Sequence, residues 1–251
     1  MGLKTRLDRV LVDRGLVDSR EKGKAIIMAG LVEVDGKRVE KSGSLIPSAA
    51  EVTIKRPHTT YVSRGGHKLE AAITHFSIDV AGRVILDVGA STGGFTDCLL
   101  QHDARRVIAV DVGYGQLDWK LRQDPRVTVL ERTNIRYLQP ESLPNVPQGA
   151  VIDTAFISLR LVVPAVMTLL PNRSFVVALI KPQFEVGKGR VGKGGVVRDP
   201  ELHREVIDGL TRFFETKGWD VKGHIPSPIL GPKGNREFLI YMTRAEMRDD
   251  H

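Results

Sequence analysis

From residue 62 onward the chain alternates short apolar runs with helical patterns, and this alternation restricts the fold more than any other feature. Runs of strand length occupy 83–88, 106–111, 127–130, 149–153 and 174–180, and two more follow at 220–225 and 236–242. A helix is expected over 66–76, where Leu69, Ala72, Ile73 and Phe76 recur at i, i+3, i+4 and i+7. Leu161, Val162, Ala165, Val166 and Leu169 mark another. Strands separated by helices bury both faces of a mostly parallel sheet, so residues 63–244 are expected to form a doubly wound α/β domain. The last two runs have only a Pro/Gly-rich loop between them, which implies an antiparallel hairpin at one end of the sheet. No run approaches the roughly 20 apolar residues that a membrane helix needs, so no membrane partner is expected.

Residues 1–56 read as a separate small α+β unit. Leu7, Val10 and Leu11 form one helical stripe. Asp18 and Ser19 supply a turn and an N-cap for a second helix, in which Ala25, Ile26 and Met28–Ala29 precede Gly30 as the stop. Gly23 inside that helix costs about 1 kcal/mol relative to Ala. Val32–Val34, Asp35-Gly36 and Lys37–Val39 read as a hairpin with a primed turn, and Val52–Ile54 as a third strand. A linker is expected at 57–62, beginning with Pro57, and the residues from 245 to 251 form a polar tail.

The formal charge of +7 is unevenly placed. Residues 1–57 hold 12 Lys/Arg against 8 Asp/Glu, and the glycine-rich segment 182–198 holds Lys188, Arg190, Lys193 and Arg198 against Glu185. Together they account for the whole excess, which favours a polyanionic partner. That segment follows directly on an apolar run and is expected to be a mobile lid without regular structure. The single cysteine, Cys98, excludes an internal disulfide and suggests no cysteine-based metal cluster, in keeping with a cytoplasmic protein.

Two sets of residues carry chemistry. Val84–Val88 is a buried strand followed by Gly89, Ala90, Ser91, Thr92, Gly93 and Gly94. Ligands of open α/β sheets bind at such carboxyl ends, where glycines admit close approach and a helix N-terminus offers free N–H groups. Ser91 stands where a dinucleotide fingerprint needs glycine, which argues against a nicotinamide enzyme. Asp111, at the end of the second strand, can accept hydrogen bonds from the two hydroxyls of a ribose. The second set is Lys68, Asp153, Lys181 and Glu237, each placed at a helix or strand end that should face one cleft. Two lysines and two carboxylates can prepare a weakly acidic hydroxyl for attack. A lysine serves as base when burial or a neighbouring cation destabilises its ammonium form.

Asp87-x-Gly89-x-x-x-Gly93 with Asp111 resembles the cofactor turn of class I methyltransferases. That likeness implies S-adenosyl-L-methionine as cofactor, held by Asp87, Gly89, Ala90, Ser91, Thr92, Gly93, Gly94, Asp111 and Asn134. Lys68, Asp153, Lys181 and Glu237 resemble the catalytic K-D-K-E tetrad of FtsJ-like ribose 2′-O-methyltransferases. Arg6-Leu7-Asp8, Gly15-Leu16-Val17, Ser19-Arg20, Ala29-Gly30 and Asp35-Gly36 resemble an S-four-like RNA-binding domain. With Ser63–Gly66, Phe156–Leu159 and Lys181–Glu185, the likeness over nearly the whole chain is to the TlyA family, some of whose members have been called haemolysins.

The resemblance implies methyl transfer to a cytidine 2′-hydroxyl of ribosomal RNA, within ribosomal subunits and not on DNA, without a metal. RNA contacts are expected at Arg6, Arg20, Lys24, Lys188, Arg190 and Lys193. Three other readings fit parts of the chain. Asp153-x-x-Phe156 loosely resembles the site of enzymes that methylate base amines, but both prolines of that site are missing. A non-catalytic ribosome assembly factor would have no use for an intact tetrad. A cytolysin finds no membrane segment.

Overall fold

A computed structural model of the chain describes residues 4–17, 19–28, 30–47, 49–54, 61–187 and 189–244, in two compact units, 1–59 and 60–251. The expectations for Asp18, Ala29, Lys188, Pro57–Thr60, the tail from 245 and the side chain of Ala25 lie outside the described residues.

The first unit runs β1 (Lys4–Arg6), α1 (Leu7–Asp13), α2 (Arg20–Met28), β2 (Val32–Val34), β3 (Lys37–Val39), β4 (Leu45–Pro47) and β5 (Val52–Ile54). β2 lies between β3 and β5, antiparallel to both, and β1 pairs antiparallel with β4. The β2–β3 turn takes the left-handed conformation at both Asp35 (φ 50°) and Gly36 (φ 75°), as a primed turn requires. Leu7, Val10, Leu11, Ile27 and Val32 form the core. Fully burying such side chains contributes about 1.5–3 kcal/mol each.

The expected stripe of α2 is corrected by one position: Ile27 is fully buried and Met28 is 71% exposed. Gly23 faces α1 closely, since a Cβ there would lie 3.3 Å from the Asp8 carbonyl oxygen. The small residue therefore sets the approach of the two helices, which offsets its unfavourable propensity.

The second unit contains α3 (Gly65–Phe76), β6 (Val84–Val88), α4 (Gly94–Gln101), β7 (Arg106–Val110), α5 (Trp119–Arg122), β8 (Val127–Leu130), β9 (Gly149–Ile152), α6 (Leu159–Met167), β10 (Phe175–Ile180), α7 (Pro200–Glu215), β11 (Trp219–Pro226) and β12 (Phe238–Arg244). One seven-stranded sheet has the order β11-β12-β10-β9-β6-β7-β8. The five strands β6 to β10 are parallel, and β12 is antiparallel to both of its neighbours. This is the doubly wound, mostly parallel sheet that the alternation implied. The four parallel strands inside the sheet, β6, β7, β9 and β10, are almost wholly apolar because helices cover both faces, whereas β8 at the edge is only partly buried. In α6 the buried set is Leu159, Val162, Val163 and Val166, at i, i+3, i+4 and i+7, while Leu161 is 54% exposed. From β6 the chain winds one way to β7 and β8 and the other way to β9 and β10. The switch point, and with it a crevice at the carboxyl ends, falls between β6 and β9.

Candidate active site

The turn after β6 is shaped by close approach. Gly89 has φ 83°, and a Cβ there would lie 2.6 Å from the Asp153 carbonyl oxygen. Gly93 (φ 96°) packs under Leu121 and Leu117, and Gly94 lies against Ser63 and Gly66. Ser91 takes a left-handed conformation (φ 49°) without being glycine. Its N–H donates to Asp111 Oδ2 at 2.8 Å, and the Gly113 N–H donates to Asp111 Oδ1 at 2.7 Å. Each Asp111 oxygen keeps a second lone pair for a ligand hydroxyl.

Asp87 is fully buried and lines neither of the two cavities that flank the turn. Its Oδ2 accepts from the Thr96 hydroxyl at 2.6 Å, while Oδ1 has no partner among the described residues. Burial raises its carboxyl to about 7, opposed by the Thr96 hydroxyl and aided by Asp153 and Asp111. It braces the turn from below.

Two cavities flank this turn. One, of about 430 Å³, runs from Asp111 and Val112 past Thr133, Asn134 and Ile135 to Phe156 and Val162. Its mixture of an acid, amides and apolar walls suits a nucleoside. The other, of about 350 Å³, is bordered by Ser63, Arg64 and Gly65, by Ala90 to Thr92, and by Ile229 to Pro232. Lys68, Asp153, Lys181 and Glu237 all line it. Gly89, Ser91, Asp153 and Ala155 belong to both cavities, so the two adjoin at the switch point.

The four residues expected to act together are therefore brought together, as two ion pairs. Lys181, just past β10, donates to Asp153, just past β9, with Nζ 2.6 Å from Oδ1. Lys68, on α3 and 7% exposed, donates to Glu237 Oε2 at 2.6 Å. Glu237 immediately precedes β12 instead of opening it, and its Oε1 is buried without a hydrogen-bond partner among the described residues. That oxygen packs against Gly231, where a Cβ would stand 2.0 Å away.

α3 is fixed so that Lys68 faces the cleft. Tyr61 donates to Glu70 Oε2 at 2.5 Å, His102 meets the same oxygen at 2.6 Å, and Asp97 accepts the Val62 N–H at 2.7 Å. Sequence reasoning missed these ties, and it missed Glu185. The Glu185 carboxylate accepts from the Ser158 hydroxyl at 2.6 Å and the Leu159 N–H at 2.8 Å, which joins the Lys181 arm to the Asp153 arm. Burial raises the Glu185 pKa, against those two bonds. Phe156 (φ 64°, 90% exposed) meets the Phe184 ring at 5.2 Å.

The segment 182–198 is not the structureless lid that its glycines suggested. It contains a 3₁₀ turn at Pro182–Phe184 and a tight turn at Gly192–Gly195, closed by the Gly195 N–H on the Gly192 carbonyl with Gly194 and Gly195 at positive φ, and it buries Val186, Val196 and Val197. Arg190 pairs with Glu205 through both oxygens, whereas Lys193 is exposed. In the first unit, Arg6 and Arg20 converge on Asp8, which is fully buried. Arg6 first, then Arg20, draws the Asp8 carboxyl down to about 2, against its burial. Both guanidiniums stay half-exposed and keep donors for phosphate, and Lys24 is exposed. Among the described residues no helix is long and apolar enough to cross a membrane.

Comparison with known proteins agrees with this geometry. Residues 61–244 match the FtsJ-like methyltransferase family and residues 5–52 the S4 domain. A Bacillus subtilis protein described as a candidate rRNA methyltransferase, YqxC, is 50% identical over 95% of this chain and 85% of its own length. The 16S/23S rRNA (cytidine-2'-O)-methyltransferase TlyA of Mycobacterium tuberculosis is 46% identical over 96% and 91%. A solved structure from Streptococcus thermophilus, described as a candidate hemolysin, is 44% identical and superposes with a TM-score of 0.75, covering 97% of this chain and 89% of that one.

Proposed function

The chain belongs to the FtsJ-like methyltransferase family, and from that premise we propose that it transfers a methyl group from S-adenosyl-L-methionine to the 2′-hydroxyl of a cytidine in ribosomal RNA. The observation that carries this reading is the cleft where Lys68, Asp153, Lys181 and Glu237 meet at the mouth of the nucleoside cavity. The cavity's residues fit the cofactor. Asp111 would hold the ribose, Asn134 and Ile135 would flank the base, and the Gly89–Gly94 turn would admit the amino-acid end. When bound, the cofactor supplies a methyl group already activated by its sulfonium.

The chain's own task is to place the hydroxyl in line and remove its proton. Lys181 in its neutral amine form is the base, its nitrogen lone pair taking the hydroxyl proton as the methyl group is transferred, and Asp153 aims its Nζ into the cleft. Lys68, lining the same cleft and tethered by Glu237, orients the ribose. The S4 domain grips RNA backbone through Arg6, Arg20 and Lys24, with Lys193 as a further contact, so its binding should weaken steeply with salt. Such contacts position the protein and do not read sequence. A ribosomal substrate makes the cytoplasm the place of action.

The test is ribose-methylation mapping on ribosomal RNA and subunits, comparing the protein with Lys181→Arg. Arginine keeps the charge but cannot accept the proton, so transfer should fall by about 10²–10⁴-fold with cofactor affinity unchanged. Full activity of that variant would show that another group is the base, and methylation at a base nitrogen would overturn the substrate class.

A further inference from the structure

We propose that Asn235 is a positioning residue that latches the segment Gly192–Val197, which carries Lys193, to the loop carrying Glu237, so that the two hold the catalytic cleft as one unit. The inference rests on the methyl-transfer reading above for its kinetic consequence, but not for its geometry. Asn235 lies two residues before Glu237 and is 3% exposed. Its Oδ1 accepts the Val197 N–H at 3.0 Å. Its Nδ2 donates to the Gly195 carbonyl at 3.0 Å and to the Pro232 carbonyl at 3.2 Å. Its own carbonyl accepts the Gly231 N–H at 2.9 Å. The side-chain amide thus spends both donors and its acceptor, and it joins two segments about 40 residues apart in sequence.

The far partners explain why this matters. Val197 is clamped from both sides, because the His203 ring nitrogen donates to its carbonyl at 2.9 Å while Asn235 takes its N–H. Lys193 and Gly195, in the same turn, therefore sit on a fixed support. On the near side, Gly231 and Pro232 line the catalytic cleft, and Gly231 packs directly on Glu237 Oε1. Displacement of the Gly231–Asn235 turn would release Glu237, and with Glu237 the ion pair that holds Lys68. A contact of RNA phosphate with Lys193 is in this way mechanically continuous with the catalytic carboxylate. Asparagine is the side chain this requires. Aspartate would keep the bond to Val197 but would turn an acceptor toward two carbonyls, and alanine would leave the Val197 N–H buried without its partner and release the Gly195 carbonyl.

The experiment uses the full chain with Asn235→Ala and Asn235→Asp. Limited trypsin digestion reads the latch itself: cleavage after Lys193 should quicken by about tenfold or more in Asn235→Ala, and by less in Asn235→Asp, which keeps Val197 pinned. Methyl transfer to ribosomal RNA reads the consequence. Measured well below each variant's melting temperature, kcat should fall by about tenfold or more, while KM for RNA and cofactor affinity stay within about threefold. A merely structural role would lower Tm without that split. An unchanged cleavage rate, or a raised KM with normal kcat, overturns the proposal. If Asn235→Ala does not fold, Asn235→Asp decides by the same two readings. Should the unaltered protein methylate no ribose, the function fails, while the trypsin result still decides the latch.

Discussion

Asp87 offers a prediction in which sign and size both come from its surroundings. The carboxyl lies under the Gly89–Gly94 turn, fully buried, and burial raises its pKa from 3.8 to about 7. Below pH 3.8 the group is protonated in both folded and unfolded chains, and its contribution does not vary. Between 3.8 and about 7 the unfolded chain releases the proton and the folded chain retains it, so stability falls as pH rises. At 1.36 kcal/mol per unit the full loss is about 4 kcal/mol, of which about 3 kcal/mol falls between pH 5 and 8. Asp87→Asn keeps an acceptor for the Thr96 hydroxyl but cannot ionise. Trp119 and Trp219 both lie in the second unit, and Trp219 is 2% exposed, so tryptophan emission in urea titrations follows this unit alone. The difference in unfolding free energy between the two proteins should shift toward the variant by about 3 kcal/mol from pH 5 to pH 8. A difference that stays flat with pH would refute the claim that this carboxyl is held protonated beneath the turn.

Gly89 and Gly82 separate backbone strain from close approach, since both have positive φ but only Gly89 faces another chain segment. Gly82→Ala should cost about 1–2 kcal/mol in stability and leave methyl transfer intact. Gly89→Ala should add a collision with the Asp153 carbonyl and lower both cofactor affinity, read by calorimetry, and kcat. Asp8, held at about 2 by Arg6 and Arg20, stabilises the first unit fully above pH 3.8, and this support drains away as pH falls toward 2. NMR amide signals of α1 should follow that loss in the native protein and not in Asp8→Asn, which should also weaken RNA binding by leaving the two arginines unaligned.

What could be read from the sequence follows from which interactions leave a local pattern. The central strands announce themselves because burial on both faces demands unbroken apolar runs such as Val84–Val88 and Phe175–Ile180. The glycine turn after β6 is equally legible, because Gly89 and Gly93 answer steric demands at fixed offsets from the strand. Asn235 left no such trace, and Glu185 and Asp8 stood inside recognised segments without showing what they bind. Each is an ordinary polar residue in its own neighbourhood and takes a partner 12 to 40 positions away. The glycines of 187–195 misled for the converse reason. Local composition argued for freedom, whereas the buried Val196 and Val197 and the bonds from Asn235 and His203 impose order from outside the segment. The β1–β4 pair also escaped notice, since it joins three-residue strands about 40 positions apart with no tight Asp-Gly turn between them of the kind that marks β2–β3.

The antiparallel last strand is more than an edge finish. The parallel strands all point their carboxyl ends at the crevice, which is why Asp153 and Lys181 arrive there as the residues following β9 and β10. β12 runs the other way, with Phe238 opposite Ile180 and Thr243 opposite Phe175. Its amino end therefore stands at the crevice, and the residue before it, Glu237, comes within reach of Lys68. A parallel strand in the same slot would have carried its amino end to the far edge of the sheet and placed no side chain of the β11–β12 loop near the cleft. The hairpin thus supplies Glu237, the Gly231–Pro232 wall and Asn235 from one short connection. This explains why a loop rich in proline and glycine, which adds nothing to the hydrophobic core, holds three parts of the site at once. Shortening it would remove cleft wall, carboxylate and latch together, while β11 and β12 themselves could still pair.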